Sequence, residues 1–122
     1  MDVEEWYQNC WVPEYVDPGL RPNLPEELDR LLPQLAEEFD RTGARATFFV
    51  LGEVAARTGP RLRELAGAGH EIACHSYHHW RANSLSCDRF RAEIVRAKAV
   101  LEDVVGVGVR GFRAPEWSLR DL

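Results

Sequence analysis

The chain of 122 residues has the length of one domain, and its 45% hydrophobic residues are enough to bury a core, which excludes intrinsic disorder. Fifteen Lys and Arg stand against 20 Asp and Glu, for a net charge of -5 with no long basic run, so nucleic acid is excluded as a partner. No apolar stretch approaches the roughly 18–20 residues needed to span a bilayer, and the acidic start Met1-Asp-Val-Glu-Glu5 is the opposite of a basic export signal, so the expectation is a soluble, cytoplasmic chain.

In chain order, Asp2-Val-Glu4 is expected to close a first strand. The stretch from Val12 through Pro25 carries too many Pro and Gly for regular structure and is expected to be a long surface loop. Leu28, Leu31, Leu32, Leu35, Ala36 and Phe39 then recur at intervals of three and four, predicting an amphipathic helix with Asn23 as a cap and Gly43 as its stop. Pro33 falls inside that pattern and either kinks the helix or starts its second half near Leu32.

Ala46-Thr-Phe-Phe-Val-Leu51 is continuously apolar and rich in strand formers, the mark of a strand covered on both faces. A short helix is expected from Pro60 to Ala68, with a Pro at its start and Gly69 just past its end. Glu71-Ile-Ala-Cys74 is the third strand. From a Ser86 cap, Phe90, Ile94, Ala97, Leu101 and Val104 run at helical spacing to Gly106, and Val109 to Arg113 reads as another strand. Strands alternating with helices argue an α/β fold with a mostly parallel sheet.

Cys10, Cys74 and Cys87 are odd in number and lack C-x-x-C spacing, which speaks against a disulfide framework and for a reducing compartment. Cys74 reads as a small buried hydrophobe. The chemistry gathers elsewhere, in His75-Ser-Tyr-His-His79. Two imidazoles four positions apart, read as one face of a helical turn, can bind one divalent cation that a carboxylate completes. Asp2-Val-Glu4, His75 and Arg113 all fall at strand C-terminal ends, where parallel sheets carry their sites. On an extended backbone positions 2 and 4 share a face, while Val3 and Glu5 point away.

Three blocks, Ala46-Thr-Phe-Phe-Val-Leu-Gly52, Gly69-His-Glu-Ile-Ala-Cys-His75-Ser-Tyr-His-His79 and Gly111-Phe-Arg113-Ala-Pro-Glu-Trp117-Ser118, resemble those of the polysaccharide deacetylases with the NodB homology domain, carbohydrate esterase family 4, most closely the members associated with exopolysaccharide production. The resemblance implies a distorted (β/α) barrel that removes N- or O-acetyl groups from sugar polymers with a bound divalent metal, usually zinc. It makes His75 and His79 metal ligands, with Ser76 at the motif's hydroxyl position as a substrate-side residue. The family's first motif holds two adjacent aspartates, a base and a ligand; here Asp2 takes the role of base and Glu4 that of third ligand, with Glu5 the weaker candidate. Arg113 matches the arginine that orients the base, and Trp117 the aromatic that lines the acetyl pocket. Metal-activated water would attack the acetyl carbonyl while Asp2 takes a proton.

A barrel of this kind uses on the order of 200–250 residues. The chain is therefore expected to be a single, incomplete deacetylase domain over residues 1–122: a partial (β/α) barrel with its C-terminal strands missing, and with the family's acid histidine beyond Leu122. An exposed sheet edge would favour self-association. Two further readings stand beside the deacetylase: a non-catalytic metal- or carbohydrate-binding remnant, and a hydrolase of another non-peptide amide on the same scaffold. His78 is expected to lie off the ligand face, and His70 to be a hydrogen-bonded structural residue.

Overall fold

The apolar block at Ala46–Leu51 forms the centre of the sheet. In the computed structural model, which describes residues 1–12 and 17–119, Thr47–Val50 (β2) lies between Asp2–Val3 (β1) and Glu71–Cys74 (β3), all parallel, in the order β1-β2-β3. Phe48 and Val50 are fully buried. Thr47 and Phe49, facing the other way, are only half-buried, and the Arg113 guanidinium lies over the Phe49 ring at 4.0 Å. The second face of this strand is thus covered in part, less than its apolar run predicts.

Register decides what the sheet presents. Val3, Val50 and Cys74 are level across the three strands. The backbone N–H of Leu51 donates to Val3 and that of His75 to Val50, at 3.3 and 3.0 Å. Glu4 and His75, the residues just past two of these level tips, therefore emerge on the same edge.

Helix α1 spans Leu28–Thr42 and ends at Gly43, whose φ of 68° is a backbone conformation that only glycine adopts at no steric cost. It runs through Pro33 as one helix, which excludes a separate second half starting near Leu32. Asn23 is not its cap. That residue closes a separate 3-10 helix, Pro18–Asn23, inside the expected loop, of which residues 13–16 lie outside the described residues. The free N–H groups at the start of α1 are met by Glu5, whose carboxylate accepts from the backbone of Glu27 (2.9 Å) and Leu28 (3.3 Å).

Helix α2 spans Gly52–Gly67 and starts eight residues before the expected Pro60. Val54, Ala55, Thr58, Leu62 and Leu65 form its buried stripe, continuous across the proline. Pro60 and Ala56, whose carbonyl loses its partner to the ring, are both exposed, so water can replace the bond that proline removes. The helix can begin at Gly52 because a Cβ there would lie 2.5 Å from the Tyr77 ring and 3.1 Å from the Ala97 backbone. Gly52 and Glu53 donate their N–H groups to the carbonyls of Ser76 and Tyr77, both at 3.0 Å, which ties the helix start to the histidine loop.

Helix α3, Cys87–Val105, has the expected ends: Ser86 accepts from the Arg89 N–H, and Gly106 closes it at φ 74°. Ala97, Leu101 and Val105 pack into the core with Leu62 and Leu65 of α2. The strand expected at Val109–Arg113 is reduced to one parallel bridge, Cys74 with Phe112. Side chains of α3 explain the loss. Lys98 donates to the Val109 carbonyl at 2.7 Å and Glu102 accepts from its N–H at 2.9 Å, so the Val109 N–H is not available to a ladder. No helix among the described residues is long and apolar enough to cross a membrane.

Candidate metal centre

Alternation along the first strand sorts its side chains. Val3 is 2% exposed and points into the core, while Asp2 and Glu4 turn toward His75: Asp2 Oδ2 lies 4.0 Å and Glu4 Oε2 3.7 Å from His75 Nε2. Glu5, the weaker ligand candidate, goes the opposite way and is a structural residue. It is 1% exposed, pairs with Arg57 at 2.6 Å and holds the start of α1. Sequence position alone could not show that its carboxylate would meet a helix N-terminus 22 residues on.

The segment after β3 is not a helical turn. Residues 75–80 form a bent loop in which Ser76 has φ 74°, and this bend, not helical periodicity, brings the two imidazoles to a ring separation of 5.3 Å. His79 Nε2 lies 2.9 Å from the same Glu4 oxygen. Glu93, buried on α3, braces the loop: its carboxylate accepts from the His78 backbone N–H at 2.8 Å, lies 3.1 Å from His78 Nδ1, and accepts from the Ser76 hydroxyl at 3.4 Å. Glu93 was missed by sequence reasoning, although the signal was present: a carboxylate one turn before Ala97 and two before Leu101, on the buried stripe of α3. Ser76 is itself buried at 2%, and its hydroxyl faces Glu93.

Nitrogen by nitrogen, the pair is set to receive a cation. The Arg113 carbonyl, 2.8 Å from His75 Nδ1, can only accept, so the proton sits on Nδ1 and Nε2 presents its lone pair toward Glu4. Burial pushes the His75 imidazole below its ordinary range, against the opposing pull of the Arg113 carbonyl, Asp2 and Glu4, and so favours the neutral, ligating form. Cys10 Sγ lies 3.5 Å from His79 Nδ1 and donates to the His79 carbonyl at 2.9 Å. Glu4 Oε2 is buried and, despite its short distance to His79, makes no hydrogen bond. A buried carboxylate oxygen facing two imidazole nitrogens without a hydrogen bond is a costly arrangement, and a divalent cation between them would relieve it. Tetrahedral sites with these donors place them about 3.3 Å apart, and the observed 2.9 and 3.7 Å bracket that value. The residues present fit the metal.

Arg113 Nη1 donates to Asp2 Oδ1 at 2.7 Å, the pairing the resemblance implies, while Asp2 Oδ2 faces His75. The guanidinium also lies 4.8 Å under the Trp117 ring, whose other face leaves Trp117 77% exposed. His70 sits at the far end of β3, 6% exposed, accepting from the Ala46 N–H and ringed by Phe39 and Phe48. Cys74 is buried as expected, and its burial pushes the thiol up.

A family model described as polysaccharide deacetylase matches residues 22–121. The chain is 28% identical over 83 residues to a peptidoglycan-N-acetylglucosamine deacetylase of Bacillus cereus, covering 68% of this chain and 30% of that protein. To chitin deacetylase 1 of Cryptococcus neoformans it is 27% identical over 114 residues, 93% of this chain and 22% of that one. Among solved structures it superposes on the carbohydrate esterase 4 domain of a multidomain xylanase from the hindgut metagenome of Trinervitermes trinervoides with a TM-score of 0.71 at 28% identity, over 75% of this chain and 45% of that one. It also superposes on a pseudoenzyme of the same family from Bacillus anthracis with a TM-score of 0.70 at 29% identity, over 74% and 32%. The chain thus spans less than a third of these curated relatives and under half of these solved chains. These neighbours identify the parallel sheet and its helices as part of a NodB-type barrel. The family match begins after Asp2 and Glu4, whose place in the site rests on geometry, but it runs through both histidines, Arg113 and Trp117; the chain belongs to the polysaccharide deacetylase family.

Proposed function

We propose that this chain carries the metal site and the base of a hydrolase that removes acetyl groups from a polysaccharide. The observation that supports this reading best is Glu4 Oε2, buried, without a hydrogen bond, and facing both His75 and His79. Those three residues would hold a divalent cation, and two nitrogens with one carboxylate oxygen suit zinc. When bound, such an ion acts as a Lewis acid on a carbonyl oxygen and makes water a better nucleophile near neutral pH.

The chain's own side chains supply the rest. Asp2 has one oxygen engaged by Arg113 and the other turned to the site, so Oδ2 is the atom that takes a proton from the attacking water. Arg113 holds that carboxylate through one charge-assisted hydrogen bond from Nη1. Trp117, backed by Arg113 and open on its outer face, offers an apolar wall for the acetyl methyl group. Water adds to the acetyl carbonyl carbon, the bond from that carbon to the sugar nitrogen or oxygen breaks as that atom takes up the proton lost by the water, and acetate leaves. A carbohydrate polymer is the partner this reading requires.

The test is a zinc titration of the metal-free chain, followed by acetate release from N-acetylglucosamine oligomers and from acetylated xylan. A single zinc and zinc-dependent release are expected; failure to bind zinc sinks the reading. The likeness to a pseudoenzyme favours a second reading, a piece that binds metal or carbohydrate without turning it over. That reading predicts zinc binding with no acetate from either polymer.

A further inference from the structure

Trp11 repeats the setting of Trp117. The Arg81 guanidinium lies over the Trp11 ring at 4.8 Å, the distance at which Arg113 meets Trp117, and Trp11 is nevertheless 52% exposed. An indole covered on one face by a guanidinium reaches that exposure only with its other face open to solvent. Trp80 differs, because His78 stacks on its ring at 4.4 Å. Trp11 is also tethered. Its backbone N–H donates to the Asn9 side chain at 2.9 Å, and Sγ of Cys10, the residue before it, donates to the His79 carbonyl at 2.9 Å.

Cys10 and Glu116, the residues that precede the two tryptophans, bring their side-chain donor atoms within 4.8 Å of each other and of a His79 nitrogen. The two indoles therefore rise from neighbouring points of the rim around the metal centre. We propose that Trp11 is a stacking platform for a second sugar ring of the polymer whose acetylated unit lies against Trp117. The choice of a sugar polymer as occupant rests on the deacetylase reading above.

A pyranose ring presents C–H groups on its faces and hydroxyls around its edge. The C–H groups carry partial positive charge and meet the negative face of an indole, while the hydroxyls need hydrogen-bonding partners. The open face of Trp11 supplies the first. An open cavity of about 280 Å3 supplies the second, with Gln8, Asn9, Cys10, Glu53 and His79 in its lining. Asn9 and Cys10 adjoin Trp11 in the chain, so the platform and the polar groups are neighbours. Gln8 Nε2 donates to Glu53 Oε2 at 2.7 Å and so steadies that carboxylate as an acceptor for hydroxyls. Arg81 and Asn9 hold the indole in place before a sugar arrives, which lowers the ordering cost of binding. A lone exposed tryptophan is ordinary on a protein surface; one clamped from beneath, beside a polar cavity and next to the metal ligands, is placed for a ligand.

The experiment replaces the four tryptophans of the zinc-loaded chain with 5-fluorotryptophan and assigns each fluorine resonance by a Trp→Phe substitution. The titrants are N-acetylglucosamine, its hexamer and an acetylated xylohexaose. We expect a hexamer to shift the Trp11 and Trp117 resonances together, and N-acetylglucosamine to shift Trp117 alone. Trp11→Ala should weaken hexamer binding by about three- to tenfold with zinc affinity unchanged, and Trp11→Phe should recover part of the loss. If a hexamer shifts Trp11 and no acetate is released, the platform stands while the deacetylase reading fails. If both hexamers leave the Trp11 resonance in place, the platform is overturned whether or not acetate is released. A Trp11→Ala chain that binds the hexamers as tightly as the unaltered chain overturns it as well.

Discussion

Arg113 reaches across 111 positions of sequence to Asp2, its Nη1 2.7 Å from Oδ1, and the carbonyl of the same arginine accepts from His75 Nδ1 at 2.8 Å. One residue therefore sets the orientation of the proposed base with its side chain and the tautomer of a proposed metal ligand with its backbone. The two functions separate under mutation. Arg113→Ala removes the side chain and leaves the carbonyl, so acetate release should fall by about 10²–10⁴-fold with zinc affinity unchanged; Asp2→Asn should do the same. Parallel zinc calorimetry and acetate assays check this, and a matching loss of zinc in Arg113→Ala would show that the residue acts on the ligand instead.

Adjacent carboxylates have unlike fates, and their variants should too. Glu4→Gln is expected to weaken zinc binding by more than the 10–100-fold typical of an outer-shell partner, with little loss of stability. Glu5→Ala should leave the zinc donors in place and cost about 3 kcal/mol in chemical denaturation, since it strips Arg57 of its closest partner and uncaps α1. The opposite pattern would exchange their roles.

Glu93 touches none of the three donors yet fixes the loop that carries two of them. Glu93→Ala should weaken zinc binding by about 10–100-fold, and Glu93→Gln, which still accepts from the His78 N–H, should restore part of it. Equal zinc affinity in all three proteins would show that the loop holds its shape without the carboxylate.

Burial holds the His75 imidazole below its ordinary 6.5, so the folded, metal-free chain binds this proton less readily than the unfolded chain. Its contribution to stability is complete above pH about 6.5 and is lost progressively as pH falls through that value toward the folded pKa. Urea midpoints of the chelated chain from about pH 7.5 to about pH 5 should fall, and His75→Asn should flatten the slope in that window. A wild-type midpoint insensitive to pH there would contradict the burial argument.

The misread helix shows where local reasoning stops. Pro60 and Gly69 punctuate α2 correctly at its end and misleadingly at its start, because a proline is tolerated mid-helix when its lost bond faces water, and exposure is a tertiary property. Asn23 carries the right chemistry for a cap, but α1 takes its cap from Glu5, 22 residues earlier. Val109 has the right composition for a strand, but Lys98 and Glu102 claim its backbone first. In each case the competing partner is distant in sequence.

Apolar runs and spacing were sufficient to identify β2 and β3, the stripe and ends of α3, and the shared face of Asp2 and Glu4, because alternation and helical spacing are carried by the chain itself. What only the tertiary structure decided was the convergence: that a bent loop braced by Glu93, not a helical turn, brings the imidazoles together, that Glu5 turns away to cap α1, and that His79 has Glu4 on one nitrogen and Cys10 on the other. These depend on how level strand tips and separate loops pack across the fold, and packing of that range leaves no periodic trace along the sequence.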